Sequence, residues 1–136
     1  MEIRPFHEAD ETGVIALWTE VFAYTAAHNL PAQIIRDKLA VQRELFFVAI
    51  DQGAGVGTVL SGYDGHRGWI YSLAVTPRAR RHGVGTALMR RVEDELAKRG
   101  CAKVNLQVLA SNAATVVFYK KRGYAVEERV SMGKLL

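Results

Sequence analysis

The segment that decides the fold reads VTPRARRHGVGTA, residues 75–87. An apolar, strand-like run precedes it at residues 70–75, and an amphipathic helix is predicted from Val84 onward. The first N–H groups of a helix have no intrahelical partners, and the helix dipole adds partial positive charge there. Gly83 and Gly85 lack Cβ atoms, so a ligand can approach the backbone closely. The strand, the basic glycine turn and the helix together predict a pyrophosphate site.

A tight turn flanked by solvated arginines is the alternative interpretation of these residues. Two common nucleotide loops do not match the segment. A dinucleotide fingerprint needs a third glycine where Leu88 stands, and a P-loop needs a closing Gly-Lys-Ser/Thr that is absent. Neither of these nucleotide-binding classes is therefore indicated.

The surrounding residues resemble a third kind of loop. Leu73-Ala74-Val75-x-Pro77 followed by Arg80-x-x-Gly83-x-Gly85 resembles the acyl-CoA pyrophosphate loop of the GCN5-related N-acetyltransferases, the GNAT family. The resemblance implies acetyl-CoA as the co-substrate. The cofactor-binding residues that it implies are Leu73, Ala74, Val75, Arg80, Arg81, His82, Gly83, Val84, Gly85, Thr86 and Asn112.

Length and composition indicate a soluble, single-domain protein spanning residues 1–136. No apolar run approaches the ~20 residues of a membrane span, and no secretory leader is evident, so we expect a cytoplasmic protein without a membrane partner. A single cysteine, Cys101, excludes an internal disulfide framework. The net charge of +4 permits nucleic-acid binding, but five of the eighteen basic residues lie between Arg78 and Arg91, where a phosphate site explains them. We expect no nucleic-acid partner.

Hydrophobic periodicity predicts alternating groups of strands and helices. The predicted strands are residues 2–6, 44–51, 56–63, 69–75 and 103–108, with one or two closing strands in 124–136. The predicted helices are residues 10–22 with Asp10 as N-cap, a second opened by Asn29-Leu30-Pro31 that buries Ile34, Ile35, Leu39 and Val41, a third at 84–98, and a last opened by Ala110-Ser111-Asn112.

This order predicts an α/β (α+β) fold with a mixed, mostly antiparallel sheet, because the strands are connected largely as hairpins. The crossover through the helix at 84–98 predicts one parallel pair. The order resembles the GNAT fold, which implies six to seven strands, about four helices and a parallel pair that splays apart.

Asn112 and Tyr119 are seven residues apart and share one helix face, about 10 Å apart along its axis. Asn112 could instead be a helix N-cap, a role that Ser111 could also take, and Tyr119 could be a core aromatic. The pattern Asn112-x-Ala114-x-x-x-Phe118-Tyr119 resembles the second GNAT motif. That resemblance implies that Asn112 contacts pantetheine and that Tyr119 is the general acid for the departing thiolate.

The general base is where the sequence departs from the family pattern. Ribosomal-protein acetyltransferases carry a Glu five residues before the motif Asn, and Gln107 stands there. Other members place a Glu or His on the fourth strand, where this chain has Tyr71 and Trp69. The remaining base candidates are Glu20, His28, Asp64 and His66. A water relay to Glu20 would also serve.

The sequence signals for binding of the acceptor are less specific than those for binding of acetyl-CoA. Residues 62–68, GYDGHRG, resemble the same segment in a small bacterial subgroup typified by the YpeA proteins. The segment could bind the acceptor or be turn chemistry alone, and both interpretations stay open. The candidate substrate residues are Tyr63, Asp64, His66 and Tyr71.

The resemblance implies an acetyl-CoA-dependent N-acetyltransferase that acts by direct attack of a primary amine of a small molecule, protein N-terminus or lysine. A non-catalytic acyl-CoA sensor is the alternative, and a phosphate-loop hydrolase is a third class. The four histidines lack metal-ligand spacing, so we expect no metal. The sequence leaves open whether the chain forms a homodimer.

Overall fold

The computed structural model describes residues 1–22 and 30–136. A five-stranded sheet with strand order β1-β2-β3-β4-β5 forms its centre. The strands are β1 (Glu2–Pro5), β2 (Phe46–Asp51), β3 (Ala54–Tyr63), β4 (Gly68–Val75) and β5 (Val104–Leu106). The helices are α1 (Glu11–Val21), α2 (Pro31–Leu39), α3 (Val84–Lys98) and α4 (Ala113–Lys120).

The sheet is antiparallel from β1 to β4, and the predicted parallel pair is formed by β4 and β5. This pair is short, because Gly68–Ile70 alone align with Val104–Leu106. Between β3 and β4 the register shifts at Leu60/Ser61, so that Tyr71 is the extra residue of a β-bulge. The bulge lies where β4 loses its partner β5.

Hydrophobic cores lie on both faces of the sheet, because neighbouring side chains on a strand point to opposite faces. Phe47 of β2 packs with α3, and the adjacent Phe46 packs with Trp18 of α1. The largest buried side chains of α3 are Leu88, Met89 and Leu96. The buried sheet is thus held between α3 on one face and α1 with α2 on the other.

The prediction for α3 is confirmed at both ends. Gly83 is the N-cap with φ +80°, and Gly100 follows the helix with φ +85°. Both angles lie in the left-handed region that glycine enters without a steric penalty. Asp10 precedes α1 as predicted, but its carboxylate makes no cap bond to that helix. It binds the Arg4 guanidinium instead, at 2.8 Å and 2.9 Å.

The predicted closing strands are wrong, and with them the count of six to seven strands. Residues 124–136 contain no assigned strand, and β5 offers only three residues to pair with. The segment contacts side chains of β5 and of the residues that flank it: Glu127 binds Lys103 and Asn105, and Ser131 accepts from Gln107 at 2.6 Å. Its apolar residues, including Val126 and Val130, remain exposed.

Smaller differences concern element ends. Val41 is exposed rather than buried, because α2 ends at Leu39. Asn29 lies outside the described residues; Leu30 is the N-cap of α2 and Pro31 its first residue. None of the described helices is both long and apolar enough to cross a bilayer.

Gly57 allows β3 to pack closely under α3, which gives a test of the fold. A Cβ there would lie 2.9 Å from Val84 Cγ1 and 3.0 Å from the backbone oxygen of Ala74. We expect Gly57→Ala to lower the free energy of unfolding by about 1–3 kcal/mol, the typical result of overpacking. Urea denaturation monitored by tryptophan fluorescence measures the change.

Gly55→Ala is the matched control, because no atom lies within 4 Å of a Cβ at Gly55. Equal stability of the two variants would contradict the close packing of β3 on α3.

Candidate functional site

The basic turn enters α3 through two residues in the left-handed region, Arg81 with φ +68° and Gly83 with φ +80°. No side chain caps α3, and its first internal hydrogen bond runs from Ala87 N–H to the Gly83 carbonyl, at 3.0 Å. The N–H groups of the first turn are therefore left to a ligand or to water. Arg81 and His82 are exposed beside them, and Arg80 Nε donates to the Val75 carbonyl at 3.3 Å. This arrangement suits an anion.

The first turn of α3 is bound by Arg122, which follows the end of α4. Arg122 donates from Nε to Thr86 Oγ1 at 2.9 Å and from a terminal nitrogen to the Phe118 carbonyl at 2.7 Å. Its guanidinium carbon lies 3.8 Å from the centre of the Phe118 ring. A Cβ at Gly85 would be 3.1 Å from that ring, so a larger residue there would push against Phe118. The sequence analysis missed Arg122, because a basic residue at a helix end usually faces solvent.

Beyond Tyr71, β4 pairs with β3 and has no strand of the described chain on its other side. Ala74 is buried toward α1, whereas Leu73 and Val75 pack against the core under α3. The edge of β4 that would face β5 is therefore unpaired at Leu73–Val75, the strand residues that the sequence analysis assigned to the ligand. An extended ligand arm can enter such an opening and pair with the strand edge.

Asn112 is the N-cap of α4, and its Oδ1 accepts from Thr115 N–H at 3.2 Å. The capping alternative is therefore present in the structure, with Asn112 rather than Ser111 in the role. This bond uses the oxygen of the amide and leaves its nitrogen as a donor.

Tyr119 lies in the core under α3, 8% exposed. Its ring packs edge-on against Phe118 and Tyr124, with centroids 5.1 Å and 5.7 Å away. Burial raises the pKa of Tyr119 to about 12. The phenol therefore stays protonated at neutral pH. The neighbouring Tyr124 donates to the Glu93 carboxylate at 2.7 Å. The pKa of Tyr124 is raised too, mainly by burial and to a lesser extent by this hydrogen bond.

A depression of about 420 Å³ opens where β4 and β5 are paired. It brings together one candidate base, Asp64, and the three positions at which the family's usual bases are missing. Its lining residues are Asp64, Trp69, Ile70, Tyr71 and Gln107. The sequence analysis named Asp64 and Tyr71 as substrate residues.

The other two candidate substrate residues, Tyr63 and His66, do not line this depression. The backbone N–H of Tyr63 donates to Gln42 Oε1 at 2.8 Å, and its carbonyl accepts from Gln42 Nε2 at 2.9 Å. His66 is exposed at the tip of the β3–β4 hairpin. Its backbone N–H donates to Asp64 Oδ1 at 2.7 Å, so it contributes to the turn.

Lys38 of α2 was missed by the sequence analysis. It is buried, donates to the Ser61 carbonyl at 2.5 Å, and lies 5.7 Å from the centre of the Tyr71 ring. Burial lowers the pKa of Lys38 to about 8. From the sequence, a lysine on an amphipathic helix is expected to be solvated. Its burial becomes visible only when α2 is seen packed beside the bulge at Tyr71.

Glu20, the leading base candidate, lies at the other end of β4. It accepts a hydrogen bond from Thr76 Oγ1 at 3.4 Å and is not among the residues that line the depression. His28, a further candidate, lies outside the described residues. In residues 1–22 and 30–136, no three His, Cys, Asp or Glu side chains are grouped as a metal site.

Comparison with known proteins agrees with this geometry. Residues 8–124 match the model of the acetyltransferase (GNAT) family. An acetyltransferase from Yersinia enterocolitica is 43% identical over 136 residues, which is 100% of this chain and 96% of the relative. The chain belongs to the GNAT family and is an acetyl-CoA-dependent N-acetyltransferase.

Solved structures show the same fold. The Ard1 protein of Thermoplasma volcanium superimposes with a TM-score of 0.82 and 30% identity, covering 93% of this chain and 83% of that one. The PaiA N-acetyltransferase of Thermoplasma acidophilum, solved with coenzyme A, gives a TM-score of 0.84 at 19% identity and covers 95% and 92%. At that identity the likeness concerns the fold alone.

Arg122 gives a test of how the basic turn is supported. We expect Arg122→Met to raise the Kd for coenzyme A about five- to tenfold, because Thr86 and the first turn of α3 lose their charged hydrogen bonds. Isothermal titration calorimetry measures the Kd. Lys121→Met removes the same charge from an exposed neighbour and should change the Kd less than about twofold. Equal effects would show that net charge, rather than the Thr86 contact, matters.

Proposed function

We propose that this enzyme transfers the acetyl group of acetyl-CoA to a primary amine by direct attack, with Tyr119 as the general acid. The observation that carries the proposal is the position and protonation of Tyr119. Its ring belongs to the apolar cluster that contains Ile70 of β4, and Leu106 of β5 packs against that cluster. In this proposal the protonated phenol acts at the opening beyond the paired part of β4 and β5.

The residues around the opening fit acetyl-CoA. In this proposal the pyrophosphate binds the first-turn N–H groups of α3 and the side chains of Arg80, Arg81 and His82. The pantetheine arm follows the free edge of β4 at Leu73–Val75, where backbone N–H groups also polarise the acetyl carbonyl. The Asn112 amide nitrogen contacts the same arm. The uncapped helix start and the unpaired strand edge support this placement.

The reaction follows from these positions. An uncharged amine attacks the acetyl carbonyl carbon from the side of the depression, and a C–N bond forms as the C–S bond breaks. Tyr119 gives its proton to the departing sulfur, so that coenzyme A leaves as a thiol. The nitrogen loses one proton to water, in the absence of a carboxylate or imidazole at the usual family positions, with Glu20 as the candidate end of the relay. The Tyr119 phenolate regains a proton from water before the next turnover, so that a neutral amine and a thioester give a neutral amide and a thiol.

Replacing Tyr119 tests the general acid. We expect Tyr119→Phe to lower kcat about 100-fold, because the thiolate must then leave unprotonated, while the Kd for acetyl-CoA stays within about twofold. Coenzyme A release measured with a thiol reagent gives kcat, and calorimetry gives the Kd.

Tyr124→Phe is the matched control for this substitution. It removes a neighbouring phenol whose hydroxyl already binds Glu93. We expect a lower melting temperature with kcat within about twofold. A loss of kcat as large as that of Tyr119→Phe would assign the effect to packing.

The raised pKa of Tyr119 also predicts the pH dependence. A group whose pKa lies at about 12 keeps its proton at all lower working pH values. The kcat/KM for an alkylamine should therefore rise tenfold per pH unit as the amine loses its proton, with no descending limb below pH ~10. A pH–rate profile checks this. A descending limb with a midpoint near pH 8 would exclude Tyr119 as the acid.

A further inference from the structure

The depression contains a carboxylate that the proposed reaction does not use. Asp64 Oδ1 accepts from the backbone N–H groups of His66 and Arg67, both at 2.7 Å, and Oδ2 accepts from Trp69 Nε1 at 3.2 Å. The bonds from Arg67, His66 and Trp69 hold the pKa of Asp64 below its usual range. A weakly basic carboxylate is a poor proton acceptor, but it is a permanent negative charge beside the acceptor's path.

Aromatic rings form the walls beside this charge. Trp69 is oriented by its bond to Asp64, and Tyr71 is 60% exposed. The Tyr71 hydroxyl lies over Gly62, where a Cβ would be only 2.6 Å away, so the ring packs against β3. A carboxylate that shares a depression with a half-buried Trp69 and an exposed Tyr71 has the composition of a site for an organic cation.

Two nearby cations of the described residues have partners of their own. The Arg67 guanidinium donates to the His66 carbonyl at 3.2 Å, and buried Lys38 donates to Ser61 while lying 5.7 Å from the centre of the Tyr71 ring. Neither residue lines the depression. The charge of Asp64 is therefore open to a ligand.

We propose that the acceptor is a polyamine-like molecule with two amines, of which one reacts while the other binds as a cation between Asp64, Trp69 and Tyr71. This inference rests on the proposed transfer to an amine. An attacking amine must be uncharged, whereas a group beside a carboxylate keeps its proton. One amine cannot meet both conditions well, so a second cationic group explains the site.

The spacing of the two groups follows from β4. Trp69 and Leu73 are four residues apart, about 13 Å along an extended strand, and the bulge at Tyr71 shortens this distance. The bound cation and the reacting nitrogen are thus separated by on the order of 10 Å. Longer diamines should therefore be better acceptors than short ones. Linear diamines and aminoglycosides share the required chemistry, and the experiment separates them.

The test compares kcat/KM for 1,7-diaminoheptane, putrescine, heptylamine and kanamycin, each measured as coenzyme A release by the full chain. Each diamine value is divided by two because its two amines are equivalent, and we then expect 1,7-diaminoheptane to exceed heptylamine about tenfold. In Asp64→Asn this ratio should fall to about twofold or less. Asn keeps the Oδ1 atom that accepts both backbone bonds, so the turn is preserved, whereas the bond from Trp69 Nε1 to Oδ2 is lost together with the charge. A preference for kanamycin would assign the cation to a ring acceptor.

Asp94→Asn is the control, because it removes the same charge from the exposed surface of α3 and should leave the preference intact. Tyr71→Leu is the second variant and should lower the preference with the turn untouched. The melting temperature and the Kd for acetyl-CoA report folding. If no amine is acetylated, the proposed function fails. If amines are acetylated without a diamine preference, or if Asp64→Asn lowers both substrates equally, the second-cation inference is overturned and amine transfer stands.

Discussion

The short pairing of β4 with β5 is the constraint on which the rest of the structure depends. The strands share three aligned residue pairs, and beyond Ile70 and the Tyr71 bulge β4 has no strand of the described chain on that side. A parallel pair needs a crossover, and α3 supplies it, so the start of α3 lies at the carboxyl end of β4 beside the opening. The opening and the uncapped start of α3 are thus consequences of one incomplete strand pair.

The two sides of the opening owe their chemistry to opposite effects on proton affinity. Burial in the apolar core keeps the Tyr119 phenol protonated. Hydrogen bonds from an exposed turn keep the Asp64 carboxyl ionised. In the proposed reaction the first group gives a proton, and the second is a fixed negative charge on the side from which the acceptor approaches. Neither property needs a charged partner close by.

The sequence predicts the donor side well because its signals are local. Glycines with positive φ enclose α3, and both are visible as turn residues before and after a periodic segment. The contacts of Arg122 with Thr86 and of Lys38 with Ser61 join residues 36 and 23 positions apart, and no local pattern encodes them. The closing strands were wrongly predicted for the same reason, since a strand needs a partner and β5 has three residues. His28 and the identity of the base stay predictions.

The chain after Tyr124 is joined to the rest of the molecule through side chains. It binds Asn105 of β5 and the flanking residues Lys103 and Gln107, and Gln107 forms part of the depression wall. Because this segment forms no backbone ladder with the sheet in the described chain, a substitution in it does not remove a hydrogen bond between strands. A change at Ser131 can therefore alter the wall of the depression through Gln107 while the sheet and the basic turn keep their own contacts.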